Sequence, residues 1–169
     1  MADKILESFL KRQFEEGMSL AAASDSLKLA ALDAQHYLAA FECNGLVIGP
    51  GGEIQPSAHF EAGIYFAPNH LRRLDPPSVV TWIGPLNIWH PNIRPPFVCL
   101  GHMTAGVGLV EIIYQLHEII TWRRFTAHDA LNWDAATWAN RNRHLFPVDD
   151  RPLKRRGLAL TFREKEAEA

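Results

Sequence analysis

Cysteine is scarce in this sequence: there are two in 169 residues, Cys43 and Cys99. They stand too far apart for a C-x-x-C redox or zinc pair, which excludes a zinc ribbon or a disulfide scaffold and predicts a reducing compartment. An excess of one charge is also missing. Lys plus Arg is 17 and Asp plus Glu is 19, for a formal net charge of −2. Without a global basic field, nucleic acid is not expected as a partner. No run approaches the ~20 apolar residues of a membrane span. The N-terminal MADKILESFLKRQFEEG carries charge where a signal peptide is apolar. A soluble, cytoplasmic protein with no membrane partner is expected. Neither G-x-x-x-x-G-K-[ST] nor G-x-G-x-x-G occurs, so no standard nucleotide loop and no cofactor are expected. What is present is ordinary for a globular chain: 47% apolar and 21% charged residues, which rules out global disorder. The length predicts one domain over residues 1–150, followed by a charged tail over 151–169.

The order of elements follows from periodicity. Ile5, Leu6, Phe9, Leu10 and Phe14 recur at helical spacing, with Asp3 as a cap and Gly17 as a stop. The Ala-rich stretch to Ala31 is ambiguous between helix and strand. His36 to Ile48 is rich in apolar and aromatic residues and ends in the turn signal Gly49-Pro50-Gly51-Gly52. Phe60, Ala62, Ile64 and Phe66 alternate with His59, Glu61, Gly63 and Tyr65, the period of a half-buried strand. Val79, Val80, Trp82 and Ile83 make another strand. Gly84 to Gly106 is rich in proline and glycine, with no strand texture, and reads as a long functional loop. Leu109, Ile112, Ile113, Leu116 and Ile120 form one apolar helical stripe, and Leu131, Ala135, Ala136 and Trp138 suggest a further helix. From Pro147 onward the charged tail is expected to be partly mobile. The fold class is α+β: an N-terminal helix, a four-stranded antiparallel meander, and helices on one face.

Two residue sets could carry chemistry. Cys99 lies in Phe97-Val98-Cys99-Leu100-Gly101-His102, after the proline-rich bend and before a helix. It reads either as a small buried hydrophobe or as a nucleophile. Cys43, inside a strand, reads as core. His90, His102, His117, His128 and His144 offer no H-x-x-x-H or H-E-x-x-H spacing, so no metal is expected. A Cys–His hydrolase on Cys99 remains open, although no local signature of such enzymes is present.

Four landmarks narrow the choice. They are Pro76-Pro77-Ser78-Val79, Trp89-His90-Pro91-Asn92-Ile93, Val98-Cys99-Leu100 seven residues after Asn92, and Asp129-Ala130-Leu131-Asn132 followed by Ala135-Ala136. In this order and spacing they resemble the ubiquitin-conjugating enzyme family, strongly over residues 55–142. Cys-Leu-Gly-His and the Phe146-Pro147-Val148-Asp149-Asp150-Arg151 segment are similar to bacterial conjugating-enzyme-like proteins, which occur beside genes for a modifier, an activating enzyme and an isopeptidase, often in antiphage defence. The chain departs from the eukaryotic pattern in lacking Trp-Ser-Pro after the cysteine and in having Asp-Ala at 129–130.

The resemblance implies the ubiquitin-conjugating-enzyme fold and acyl transfer through a thioester. Its implied partners are a ubiquitin-like modifier, an activating enzyme and target lysines. Cys99 is then the acceptor thiol. Asn92 is the oxyanion donor, with pinning of its own turn as the plainer role. Asp129 orients the incoming lysine or caps the next helix. His90 and His102 are supporting candidates: His90 to fix the turn, His102 to tune the thiol or accept a proton. Lys4, Lys11 and Arg12 on the first helix are the expected dock for the activating enzyme. The alternative on the same fold is a non-catalytic modifier-binding module.

Overall fold

The computed structural model describes residues 3–155. It opens with α1 (Lys4–Ala22), whose N-terminus is capped by Asp3: the carboxylate accepts from the Ile5 and Leu6 amides at 3.1 and 3.3 Å. The helix does not stop at Gly17. That residue is buried against α3 (Leu109–Ile120), and a Cβ there would lie 2.5 Å from Leu109 Cδ2. Glycine here allows two helices to approach closely, and the packing outweighs its helix propensity penalty of ~1 kcal/mol.

The ambiguous Ala-rich stretch resolves into the end of α1 and β1 (Leu27–Ala31). Long strands β2 (His36–Ile48) and β3 (Ile54–Tyr65) follow. A helical turn, α2 (Pro76–Val79), then leads into β4 (Val80–Gly84). The expected four-stranded meander is incomplete. The sheet has six antiparallel strands in the order β1-β2-β3-β4-β6-β5. The extra pair, β5 (Ile93–Arg94) and β6 (Phe97–Val98), lies inside the proline-rich segment that has no strand texture. Two residues are too few to show a period, and β5 and β6 turn on a Pro95-Pro96 corner.

One face of the sheet is core. Tyr37, Ala39, Phe41 and Cys43 of β2, Phe60, Ala62 and Ile64 of β3, and Val80 and Trp82 of β4 are buried. They meet Leu109, Ile112, Ile113 and Leu116 of α3 and Phe9 and Leu10 of α1. The alternation at Phe60–Phe66 therefore places one face inward as expected. Cys43 is fully buried, and burial, helped by the Asp149 carboxylate, pushes its thiol up to about 12. It is a core residue.

A second, smaller cluster joins Leu46, Trp122 and Ala139, with Trp89, Phe125, Trp138 and Phe146 packed around it. Its helix, α4 (Trp133–Arg141), starts at Asn132, whose side chain accepts from the Ala135 amide at 3.1 Å. Trp122 adopts φ +60° directly after α3, which turns its indole into this cluster. No helix among the described residues is long and apolar enough to cross a membrane.

Within the expected tail region, residues 147–155 are tied to the body by hydrogen bonds. Asp149 is buried and accepts from the Asn44 amide at 3.1 Å and from Arg151 Nη2 at 2.7 Å. Arg151 also reaches the Glu42 carbonyl, and the Arg155 amide reaches the Ala23 carbonyl. Asn44 lies at the register shift of β2, where the ladder leaves its amide free for the carboxylate. The remainder of the tail lies outside the described residues.

Candidate functional site

The site is assembled by the segment between β4 and α3. His90 is fully buried and packs edge-on against Trp122, with ring centroids 4.6 Å apart. Its Nδ1 accepts the Asn92 amide at 3.0 Å. An accepting Nδ1 puts the single proton of a neutral ring on Nε2. That nitrogen is buried without a partner of normal geometry, the Arg124 backbone giving at most a weak contact. Burial pushes the imidazole down to about 3, so it stays neutral near pH 7. His90 is bonded to the backbone of the turn through Nδ1, and its burial disfavours the charged ring.

Asn92 is buried, and every polar group it has is engaged. Its carbonyl accepts the Cys99 amide at 2.8 Å. Its Nδ2 donates to the Cys99 carbonyl at 3.0 Å and to Thr126 Oγ1 at 3.2 Å, while its Oδ1 accepts the Thr126 amide at 2.9 Å. One carboxamide thus ties the Cys99 segment to the loop at 126.

Cys99 is half-buried. It lines an apolar cavity of about 220 Å³ with Pro76 and Pro77 of α2, Phe97 of β6, Met103 and Leu131. Its carbonyl and amide are both held by Asn92, so the Cys99 backbone is fixed at the edge of the cavity. The next turn depends on Gly101 at φ +85°, where a Cβ would come within 2.6 Å of Arg124 Nη2. That guanidinium donates to the Leu100 carbonyl at 2.9 Å.

The other expected residues are placed less tightly. Asp129 is exposed in a turn and does not cap the following helix; Asn132 does. His102 is exposed, three residues beyond Cys99. Lys4, Lys11 and Arg12 lie on α1, where Lys11 and Arg12 make only long, exposed pairs of 3.9 Å with Glu15 and Glu16. Thr126 and Arg124 are not singled out by the sequence, and Asp149 and Arg151 enter it only as part of the Phe146–Arg151 segment, not as a pair. No local spacing marks Thr126, because its partner is 34 residues away.

The architecture matches a solved structure, the ubiquitin-conjugating E2 domain of a Toxoplasma gondii enzyme. The TM-score is 0.50 with 18% identity, covering 81% of this chain and 90% of that one. The fold is that of a ubiquitin-conjugating enzyme domain. No family model matches the sequence, and no curated protein matches it. On this fold the Pro76-Pro77 turn and Cys99 line one depression, and Asn92 of the His-Pro-Asn turn bonds the Cys99 backbone beside it.

Proposed function

We propose that the protein is a ubiquitin-like modifier-conjugating enzyme, with Cys99 as the thioester acceptor, working in a bacterial pathway of antiphage defence. One observation supports this above the others: Cys99 opens onto an apolar cavity while its backbone is clamped on both sides by Asn92. A cysteine whose backbone is held in this way, beside an apolar cavity, suits an uncharged polypeptide tail delivered to it.

In the first step the Cys99 thiolate attacks the modifier's C-terminal carbonyl in its thioester with the activating enzyme. A C–S bond forms at Cys99, the old C–S bond breaks, and the activating enzyme's thiol leaves with the proton. The exchange replaces one thioester by another, so no strong base is required at the sulfur. In the second step a target lysine amine attacks that carbonyl. The amine loses its proton, an amide C–N bond forms, and the Cys99 thiol is released.

The tetrahedral intermediate of the second step carries negative charge on oxygen. Asn92 Nδ2 can serve it only by giving up the Cys99 carbonyl or Thr126 Oγ1, so its oxyanion role requires a small local rearrangement. A donor of this kind is worth about 3–4 kcal/mol. Asp129, exposed and without a side-chain hydrogen bond or ion pair among the described residues, is available to orient the amine. His102 is a supporting proton acceptor.

The test is loading. The protein is mixed with a ubiquitin-like modifier, its activating enzyme and ATP, and resolved without reductant. A thiol-sensitive adduct that is absent in Cys99→Ala is expected. No adduct with an activating enzyme that is itself charged would leave only a modifier-binding module.

A further inference from the structure

Strand β1 is an open edge: among the described residues it pairs with β2 alone. The bonds at its two ends fix which groups face outward. The Glu42 amide donates to the Ser26 carbonyl and the Leu32 amide to the His36 carbonyl, both at 2.8 Å. Residues bonded across an antiparallel ladder alternate, so Lys28 and Ala30 turn their amides toward β2. Leu27, Leu29 and Ala31 turn theirs toward the open edge. The Leu29 side chain lies on the α1 side of the sheet, since a Cβ on Gly17 would stand 3.0 Å from its Cδ2. Between α1 and the end of β1 runs an apolar cavity of about 410 Å³, lined by Leu10, Phe14, Ala31 and Ala34. Phe14 is 45% exposed there. An open strand edge beside an uncovered apolar groove has room for one more strand.

We propose that residues 157–162 of this same chain take that place as a seventh strand, parallel to β1, with Phe162 in the groove. Where the described chain ends is the first argument. The Arg155 amide donates to the Ala23 carbonyl at 2.8 Å, and its guanidinium reaches the Ala22 carbonyl and the Asp25 carboxylate at 2.8 and 3.4 Å. The next residue therefore starts beside the entry to β1. Register is the second. In a parallel ladder a carbonyl accepts from the residue just after the one opposite it, so the bond from Arg155 sets Lys154 opposite Ala23. Carried forward in step, the register sets Leu158 beside Leu27, Leu160 beside Leu29 and Phe162 beside Ala31. Those are the three β1 residues whose outward groups are open. The Leu27 and Leu29 carbonyls then accept the Ala159 and Thr161 amides, and the Leu29 and Ala31 amides donate to the Ala159 and Thr161 carbonyls. Composition is the third. Leu158-Ala159-Leu160-Thr161-Phe162 alternates large apolar with small residues, the period of a strand with one buried face. In this register the large residues fall on the α1 side, and Phe162 meets Phe14. The tether at Arg155 gives the chain's own segment a concentration advantage over a second copy.

Amide hydrogen exchange in the full-length ¹⁵N-labelled chain tests the strand. The Leu29 and Ala31 amides, which face the open edge, are expected to exchange about tenfold more slowly in the wild type than in two variants. Ala159→Pro removes a ladder donor, and Leu160→Asp puts a carboxylate on the apolar face. The Lys28 and Ala30 amides, bonded to β2, should change by less than about twofold, which reports that β1 itself stays folded. An NOE between the Phe162 ring and the Ala31 methyl group is expected in the wild type and lost in both variants. Exchange of Leu29 and Ala31 at the same rate in all three proteins would overturn the proposal, and so would the absence of that NOE or an equal change at all four amides. An equal mixture of labelled and unlabelled chains identifies the occupant. An isotope-filtered NOE between the two kinds of chain would put a second copy's segment on β1 and overturn the assignment to the chain's own.

Discussion

Asn92 shows how one residue can hold two jobs that pull apart. Its carboxamide satisfies the Cys99 carbonyl and the Thr126 amide at once. Replacing it by alanine leaves both groups short of a partner in a buried place. Asn92→Ala is therefore expected to lower stability by about 1–3 kcal/mol, read as a shift of the urea midpoint. It should also slow discharge to lysine more than it slows loading of Cys99, measured on the folded fraction. Equal loss in both steps would assign Asn92 to the scaffold alone. The two cysteines give a simpler contrast at this scale. Iodoacetamide at pH 8 should alkylate Cys99 in the native protein and leave Cys43 untouched, because burial holds the Cys43 thiol up at about 12. Labelling at both sites by intact mass would contradict the structure.

Helix α1 is decided by its contact with α3. Gly17 sits where a methyl group would strike the Leu109 side chain. Gly17→Ala should raise intrinsic helix propensity yet destabilise the protein, by about 1–3 kcal/mol, because the overpacking penalty exceeds the propensity gain. Thermal unfolding checks the sign. On the opposite side of the same helix, the pairs of Lys11 with Glu15 and Arg12 with Glu16 are long and exposed, so they contribute little to stability. Reversing Lys4, Lys11 and Arg12 to glutamate should leave the unfolding midpoint nearly unchanged and slow Cys99 loading severalfold at low salt. Unchanged loading would remove this face as the dock for an activating enzyme.

At the scale of the whole molecule, pH reports the buried imidazoles. His90 has a folded pKa pushed down to about 3 by burial, and His117 is lowered by burial as well. Below the ordinary histidine value the unfolded chain takes up protons that the folded chain refuses, so stability falls as pH falls. The loss begins near pH 6.5 and continues toward pH 3; for His90 it amounts to roughly 2 kcal/mol between pH 6.5 and 5. Asp149, held well below the usual carboxylate range by Arg151 first and by the Asn44 amide, adds a further loss below about pH 4. Urea unfolding across pH 7 to 4 should show this slope, and His90→Gln should flatten it. A flat profile in the wild type would mean that His90 is not buried neutral. The C-terminal clamp that carries Asp149 also makes residues 147–155 part of the body, so truncation after Phe146 should destabilise the β2 register shift.

Sequence and tertiary structure decided different parts of this protein. Periodicity alone placed α3 and the inward face of β3, because burial on one side repeats in a pattern that neighbouring residues reveal. The local context of Cys99 and the resemblance of the His-Pro-Asn turn and its cysteine to a known family brought out Cys99, His90 and Asn92, because these residues lie within ten positions of one another in the chain. The six-stranded sheet, the continuation of α1 through Gly17 and the Asp149 clamp depend on partners distant in sequence, which leave no local signal. The same holds for the bonds from Asn92 to Thr126: only the folded chain brings those groups within reach.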